Sequence, residues 1–169
     1  SLCGLETATV DVEAFAAQRA VIELNRDEFA DDSLRALVDI GASHTEVTLL
    51  SGNRFVLTRS VPIAGDTFTD ALKNQYRIDA LEGEARKHEV DMSILVTGDG
   101  DAEATERARI VQTAVDELLR EIRRSIHYFQ SQLSETGQAI NLSEILLVGG
   151  SSQMRGLTEF VVARLGIQA

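Results

Sequence analysis

A chain of 169 residues that is 44% apolar has the material for one good core with room for a second small subdomain, which separates it from disordered sequences. Its formal charge of −11, from 27 acidic against 16 basic residues, argues against holding a nucleic-acid backbone through counterion release. No apolar run approaches the ~20 residues of a membrane span, the first residues lack the basic start and long apolar core of a signal peptide, and the single cysteine, Cys3, leaves no internal disulfide framework, so a reducing, cytoplasmic setting is expected.

Residues 7–12 have strand character, and residues 14–24 carry apolar side chains on helical spacing before the acidic turn DEFADDS. Residues 36–40, 45–51 and 54–61 predict three strands. The last two are joined at Ser51-Gly52-Asn53, where Gly and Asn tolerate a positive φ and a tight hairpin is expected. Alternate positions along these two strands are often polar, which predicts sheet faces that are half exposed or covered on one side by another element.

The lone proline, Pro62, ends the third strand, and Gly65-Asp66-Thr67 is positioned to cap a helix over residues 68–76. A short helix over 80–88 follows. Residues 91–103, with the run TGDGDAE, read as a loop at a subdomain edge. From about residue 105 to 133 the apolar residues, Ile110 through Leu133, recur at steps of mostly three and four, predicting one long amphipathic helix used for core packing and ending at Thr136-Gly137. The chain closes with a strand over 144–148, a Gly149-Gly150-Ser151-Ser152 turn and a helix over 154–165.

Two stretches carry candidate chemistry. In LVDIGASHTEVTLL, residues 37–50, an acid closes one strand and three small residues precede the next. The amides of Gly41, Ala42 and Ser43 can converge on a phosphate chain while Asp39 holds a hydrated Mg²⁺. An ordinary turn explains the same residues equally well. In ILLVGGSSQMRGL, residues 145–157, a buried strand runs through Gly149-Gly150 into a helix, which sets bare backbone and a helix N-terminus beside any ligand there. A routine strand-to-helix turn is the alternative. Glu84 and Lys87 share a helix face at a spacing of three, which by itself describes a solvated ion pair of little energetic weight. The three histidines, His44, His88 and His127, have no partner at metal-ligand spacing; His44 either reaches toward the hairpin's ligand or faces outward.

The order of these parts resembles the second half of the actin-like ATP-binding fold, shared by heat-shock chaperones, sugar kinases and the cell-division protein FtsA. It is closer still to the PilM family of type IV pilus assembly. The resemblance rests on VDVEAFAAQRA (10–20), ALVDIGASHTEVTLL (36–50), TRSVPIAGDTFTDAL (58–72), EARK (84–87) and ILLVGGSSQMRGL (145–157), and runs nearly end to end. It implies an α/β, RNase H-like domain with a smaller inserted helical subdomain, in a partial chain of a two-domain protein. Residues 1–34 would end the first domain and 35–169 form the second, with about 66–103 as a subdomain at the cleft edge.

The same resemblance implies ATP and Mg²⁺ as cofactors. Asp39, Gly41, Ala42, Ser43 and Thr45 would belong to the second phosphate loop, with Asp39 meeting the metal through water. Gly65 would lie beside them, Glu84 and Lys87 near ribose and adenine, and Gly149, Gly150 and Ser151 would form the adenosine loop. Two positions depart from the pattern: Ala64 replaces a glycine, where its methyl would crowd a backbone that passes close to the nucleotide, and Gly83 replaces an alanine, which would loosen the helix by roughly 1 kcal/mol. The chain opens without Met and is expected to be trimmed at both ends, with the opposite wall of the cleft lying outside it. The implied function is an ATP-binding cytoplasmic scaffold at the inner membrane that docks the tail of a PilN-like membrane protein alongside other pilus assembly proteins. The alternatives are an active ATPase or phosphotransferase of this fold, or the cytoplasmic domain of a type II secretion protein like GspL.

Overall fold

In the computed structural model of the chain, residues 4–24, 27, 29, 31, 33–134 and 142–169 are described. Cys3 and the helix end expected at Thr136-Gly137 lie outside them. The elements in chain order are α1 (Glu13–Leu24), β1 (Leu34–Ile40), β2 (Thr45–Ser51), β3 (Arg54–Val61), α2 (Gly65–Tyr76), α3 (Ala80–Lys87), α4 (Ile94–Thr97), α5 (Ala102–Ser134), β4 (Leu142–Val148), a 3₁₀ turn (Gly150–Gln153) and α6 (Leu157–Leu165).

The strands form one sheet in the order β3-β2-β1-β4, with β1 antiparallel to β2 and parallel to β4. Because side chains alternate across a strand, β1 and β2 feed two cores. Ala36, Val38, Ile40, Val47 and Leu49 face α2, α5 and α6 in the main core. Leu37 and Leu50 face the other way, against Phe29 and the Ala17, Val21 and Ile22 side of α1. Helix α5, about 50 Å long at 1.5 Å per residue, lays Val111, Val115, Leu118, Ile122 and Phe129 into the main core, as its stripe predicted.

Several expectations are corrected. Residues 7–12 form no strand: they pair with no described neighbour, and Val10 stands 88% exposed. Of the two alternatives for strand β2, cover by another element is the one found: the strand is buried on both faces because α1 covers the second. Its two buried threonines are satisfied: Thr48 and Thr58 hydrogen-bond through their hydroxyls at 2.9 Å, and Thr45 Oγ1 donates to the Ile63 carbonyl at 2.7 Å. In the β2-β3 hairpin only Gly52 takes a positive φ, of 56°.

Helix α2 begins at Gly65 with Ala64 as its N-cap residue; Thr67 Oγ1 accepts from the Ala64 amide at 3.3 Å. Part of the expected 91–103 loop is α4, and Asp101 caps α5 by accepting from the Ala104 amide at 2.7 Å. Helix α6 starts at Leu157 rather than 154, because Arg155 is held extended: its carbonyl accepts from the Met92 amide at 2.7 Å and its Nε meets Asp91 Oδ2 at 2.8 Å.

Candidate functional site

The β1-β2 turn, the start of α2, the α3 face and the turn after β4 converge at one end of the sheet. The Gly41 carbonyl accepts from both the Gly65 amide at 3.1 Å and Ser151 Oγ at 3.0 Å, while the Ala42 carbonyl accepts from the Asp66 amide at 2.7 Å. Two segments remote in sequence, the start of α2 and the turn after β4, are thereby tied to two consecutive carbonyls of the β1-β2 turn. Gly65 must be glycine for this: a Cβ there would overlap Ser151 Oγ and come within 3.3 Å of Lys87 Nζ.

Between these segments lies a cleft of about 410 Å³. Of the residues singled out in the sequence, Gly41, Ala42, Glu84, Lys87, Gly150 and Ser151 line it, and Gly65 braces it from behind. Thr45 is buried and braces the strand ends. Ser43 is exposed at the turn, with Oγ 3.1 Å from His44 Nδ1. The hairpin donates less than expected, because the Gly41 amide closes the turn on the His44 carbonyl at 3.2 Å. The amides of Ala42 and Ser43 have no protein acceptor among the described residues and remain available to an anion.

The Glu84-Lys87 pair is solvated on one side only, since the Glu84 side chain is 45% exposed. The Lys87 side chain is only 12% exposed, with Nζ 2.8 Å from Glu84 Oε2 and 2.7 Å from Oε1. Thr69, buried on α2, also donates to Glu84 Oε2 at 2.6 Å. Burial is the largest single influence on the Glu84 carboxyl and opposes its ionisation. The hydrogen bonds from Lys87 and Thr69, with the charges of Lys87 and His88, together outweigh it and hold the group below its ordinary value. The cleft thus presents a fixed carboxylate and a fixed ammonium on one helix face, suited to sugar hydroxyls and ring nitrogens. Gly83 lets that helix sit close, since a Cβ there would lie 2.6 Å from Lys73 Cγ; the expected loosening is instead close α2-α3 packing. Ala64 is wholly buried and gives the cleft no wall, so its methyl crowds nothing there.

Asp39 and Gly149 stand apart from this cleft. Asp39 has the strand parity of Leu37 and faces the α1 side, within electrostatic reach of Glu13 and His44. Burial, then the Glu13 charge, push its carboxyl above its ordinary value, with His44 opposing. His44 Nε2 lies 4.0 Å from Glu13 Oε2, so His44 links the hairpin to α1. Two carboxylates on one side of a phosphate-type hairpin suit a hydrated divalent cation, which takes one or two carboxylates and completes its shell with water and phosphate oxygens. Gly149, at φ 89°, packs its backbone onto β1: a Cβ would overlap Asp39 Oδ1 and lie 2.6 Å from the Ile40 carbonyl oxygen. Below it the chain makes a 3₁₀ turn, so bare backbone faces the cleft while the α6 N-terminus is displaced to Leu157.

Asp66, His88, Gln153 and Met154 also line the cleft and were not singled out as site residues. The signals were present: His88 follows Glu84 by one helical turn, and Gln153-Met154 follow the glycine pair directly. Glu13, within electrostatic reach of Asp39, is read in the sequence only as part of the stretch VDVEAFAAQRA.

Residues 2–169 match the family model described as type IV pilus assembly protein PilM. Cell division protein FtsA of Pseudomonas aeruginosa is 26% identical over 93% of the chain, which spans 39% of that protein. The structure of a PilM-PilN type IV pilus biogenesis complex superposes with a TM-score of 0.76 at 27% identity, covering 97% of this chain and 42% of that one. MreB5 of Spiroplasma citri, bound to AMPPNP, superposes at 0.68 with 14% identity over 90% of this chain and 51% of that one. The fold is actin-like, and the chain spans about two fifths of the length of the first two relatives.

Proposed function

Because this chain belongs to the PilM family of type IV pilus assembly proteins, we propose that it supplies one wall of an ATP site in an actin-like scaffold. The observation that carries this reading is the convergence of the Gly41-Ala42 turn, the Glu84-Lys87 pair and Gly150-Ser151 on one cleft. Ala42 and Ser43 amides receive phosphate oxygens, Glu84 and Lys87 engage ribose and adenine, and Asp39, with Glu13 beside it, holds Mg²⁺ through water. The AMPPNP bound by a protein of this fold supports a nucleotide as the ligand. Residues 1–34 and 35–169 belong to two domains in this reading, with 66–103 at the cleft edge, and the ligand bridges them.

Nucleotide acts here as a conformational ligand. It shifts partner affinity to the extent that it binds the closed arrangement better than the open one. The PilM-PilN complex supports a PilN-like inner-membrane tail as the partner, which would bring a cytoplasmic scaffold to the membrane. Among the described residues no helix is long and apolar enough to cross a membrane. Calorimetric titration with MgATP tests the nucleotide reading. Lys87→Met, which keeps the buried stem and removes the charge, should weaken binding about tenfold, the order expected for one charge-assisted contact. Equal affinities in wild type and variant would remove Lys87 from the site, and rapid phosphate release would replace the scaffold with an ATPase.

A further inference from the structure

A second concave surface lies on the main-core side, away from the α1 face. Two adjoining hollows of about 310 and 220 Å³ share Arg123 and Leu165, forming one trough between α5 and the end of α6. Its α5 wall runs from Asp116 to Gln130 at steps of three and four, about 21 Å along the axis. Leu119, Ile126 and Leu165 give it an apolar floor.

Its charge is opposite to that of the chain. Arg164 is paired with Asp116 at 3.2 Å and stacks on Phe160 at 4.9 Å. Arg123 donates Nη2 to the Arg164 carbonyl at 2.8 Å but meets no carboxylate among the described residues, and Arg120 makes no polar contact with them. The neighbouring Arg124, by contrast, pairs with Glu121 at 2.7 Å. Two guanidinium groups one helical turn apart, over an apolar floor, thus stand uncompensated on a protein of net charge −11.

We propose that this trough docks a short acidic segment of another protein, with paired carboxylates on Arg120 and Arg123 and flanking apolar side chains on the Leu119-Ile126-Leu165 floor. Arginine forks bind carboxylates bidentately and commonly anchor such interfaces. Charge argues for a short segment over the alternatives. A nucleic acid or an anionic bilayer would bring many charges against two arginines and a strongly acidic surface, and a second copy would set −11 against −11. This surface is independent of the nucleotide cleft, so either reading can fail alone.

The test is selection of a displayed library of random short peptides on the immobilised chain, followed by fluorescence anisotropy of the enriched sequences. The expected winners carry two acidic residues beside apolar ones, lose at least about tenfold in affinity against Arg120→Glu/Arg123→Glu, and keep part of it against the double lysine variant. Both arginines are exposed, so an unchanged melting curve is the fold control. No enrichment, winners without acidic residues, or affinity indifferent to the glutamate variant would each overturn the proposal. So would phosphatidylserine vesicles binding, or copies self-associating in sedimentation, with the same arginine dependence.

Discussion

Gly149 and Gly150 are adjacent, and the structure assigns them different work, which alanine substitution separates. Gly149 has φ 89° and ψ 166°, a region that only glycine occupies readily, and its Cβ would lie 2.6 Å from the Ile40 carbonyl oxygen. Backbone strain of 1–3 kcal/mol plus that overlap puts Gly149→Ala at about 3 kcal/mol or more. At roughly 2–4 °C per kcal/mol for a domain of this size, its melting temperature should fall by about 6–12 °C. At Gly150 a Cβ meets nothing within 4 Å, and the residue lines the cleft. Gly150→Ala should melt within about 2 °C of wild type, yet weaken MgATP binding about tenfold (~1.4 kcal/mol) if nucleotide approaches that bare backbone. Circular-dichroism melts and calorimetry read the two effects. Wild-type melting of Gly149→Ala would refute the packing argument, and undiminished ATP affinity in Gly150→Ala would refute the close approach.

The Thr69→Val substitution removes a donor to Glu84 without opening a cavity, so stability should drop by about 1 kcal/mol and MgATP affinity severalfold, by urea denaturation and calorimetry; an unchanged affinity would make Thr69 purely structural. The raised Asp39 carboxyl binds its proton more tightly in the folded state, so its contribution to stability is complete below the unfolded value near pH 4 and is lost as pH rises through the folded one. Asp39→Asn should therefore raise the urea midpoint at pH 7 without Mg²⁺, and a lowered midpoint would contradict the desolvation argument. Glu84 has the opposite sign: its lowered value stabilises the fold above the unfolded value and is lost as pH falls, so Glu84→Gln should cost stability at pH 7 but not in strong acid. At position 83, alanine gains about 1 kcal/mol of helix propensity but meets Lys73 Cγ. Gly83→Ala should destabilise the wild type and stabilise a Lys73→Ala background, as read by melts of the four proteins.

Legibility followed the range of the interactions involved. Strands β2 and β3 were readable because alternation and a Gly-containing turn are local, and α5 because its stripe repeats for many turns. The start of α6 was not, because the Asp91-Arg155 contact that holds Arg155 extended joins residues far apart in sequence. The polar positions of β2 left exposure and cover both open, and hydrogen bonds to Thr58 and Ile63 satisfy the hydroxyls of Thr48 and Thr45 under the cover. Residues 7–12 have strand composition, but an edge strand needs a neighbour, and the described sheet ends at β3 and β4.

Within the site, six of the residues named from sequence share one cleft, and the side that Asp39 faces follows from strand parity with Leu37. The Gly65 brace was less accessible. It depends on Gly41, Lys87 and Ser151 meeting across three elements, a fact of tertiary packing that no spacing in the chain encodes.

The most direct test of the central claim is a ¹H–¹⁵N NMR titration of the chain with MgATP, which reports even weak binding residue by residue. If nucleotide occupies the cleft, the amides of Ala42, Ser43, Lys87, Gly150 and Ser151 shift together along one saturating curve. Saturating shifts confined to other surfaces, such as the α5-α6 trough, or no shift at these five amides at millimolar nucleotide, would contradict it.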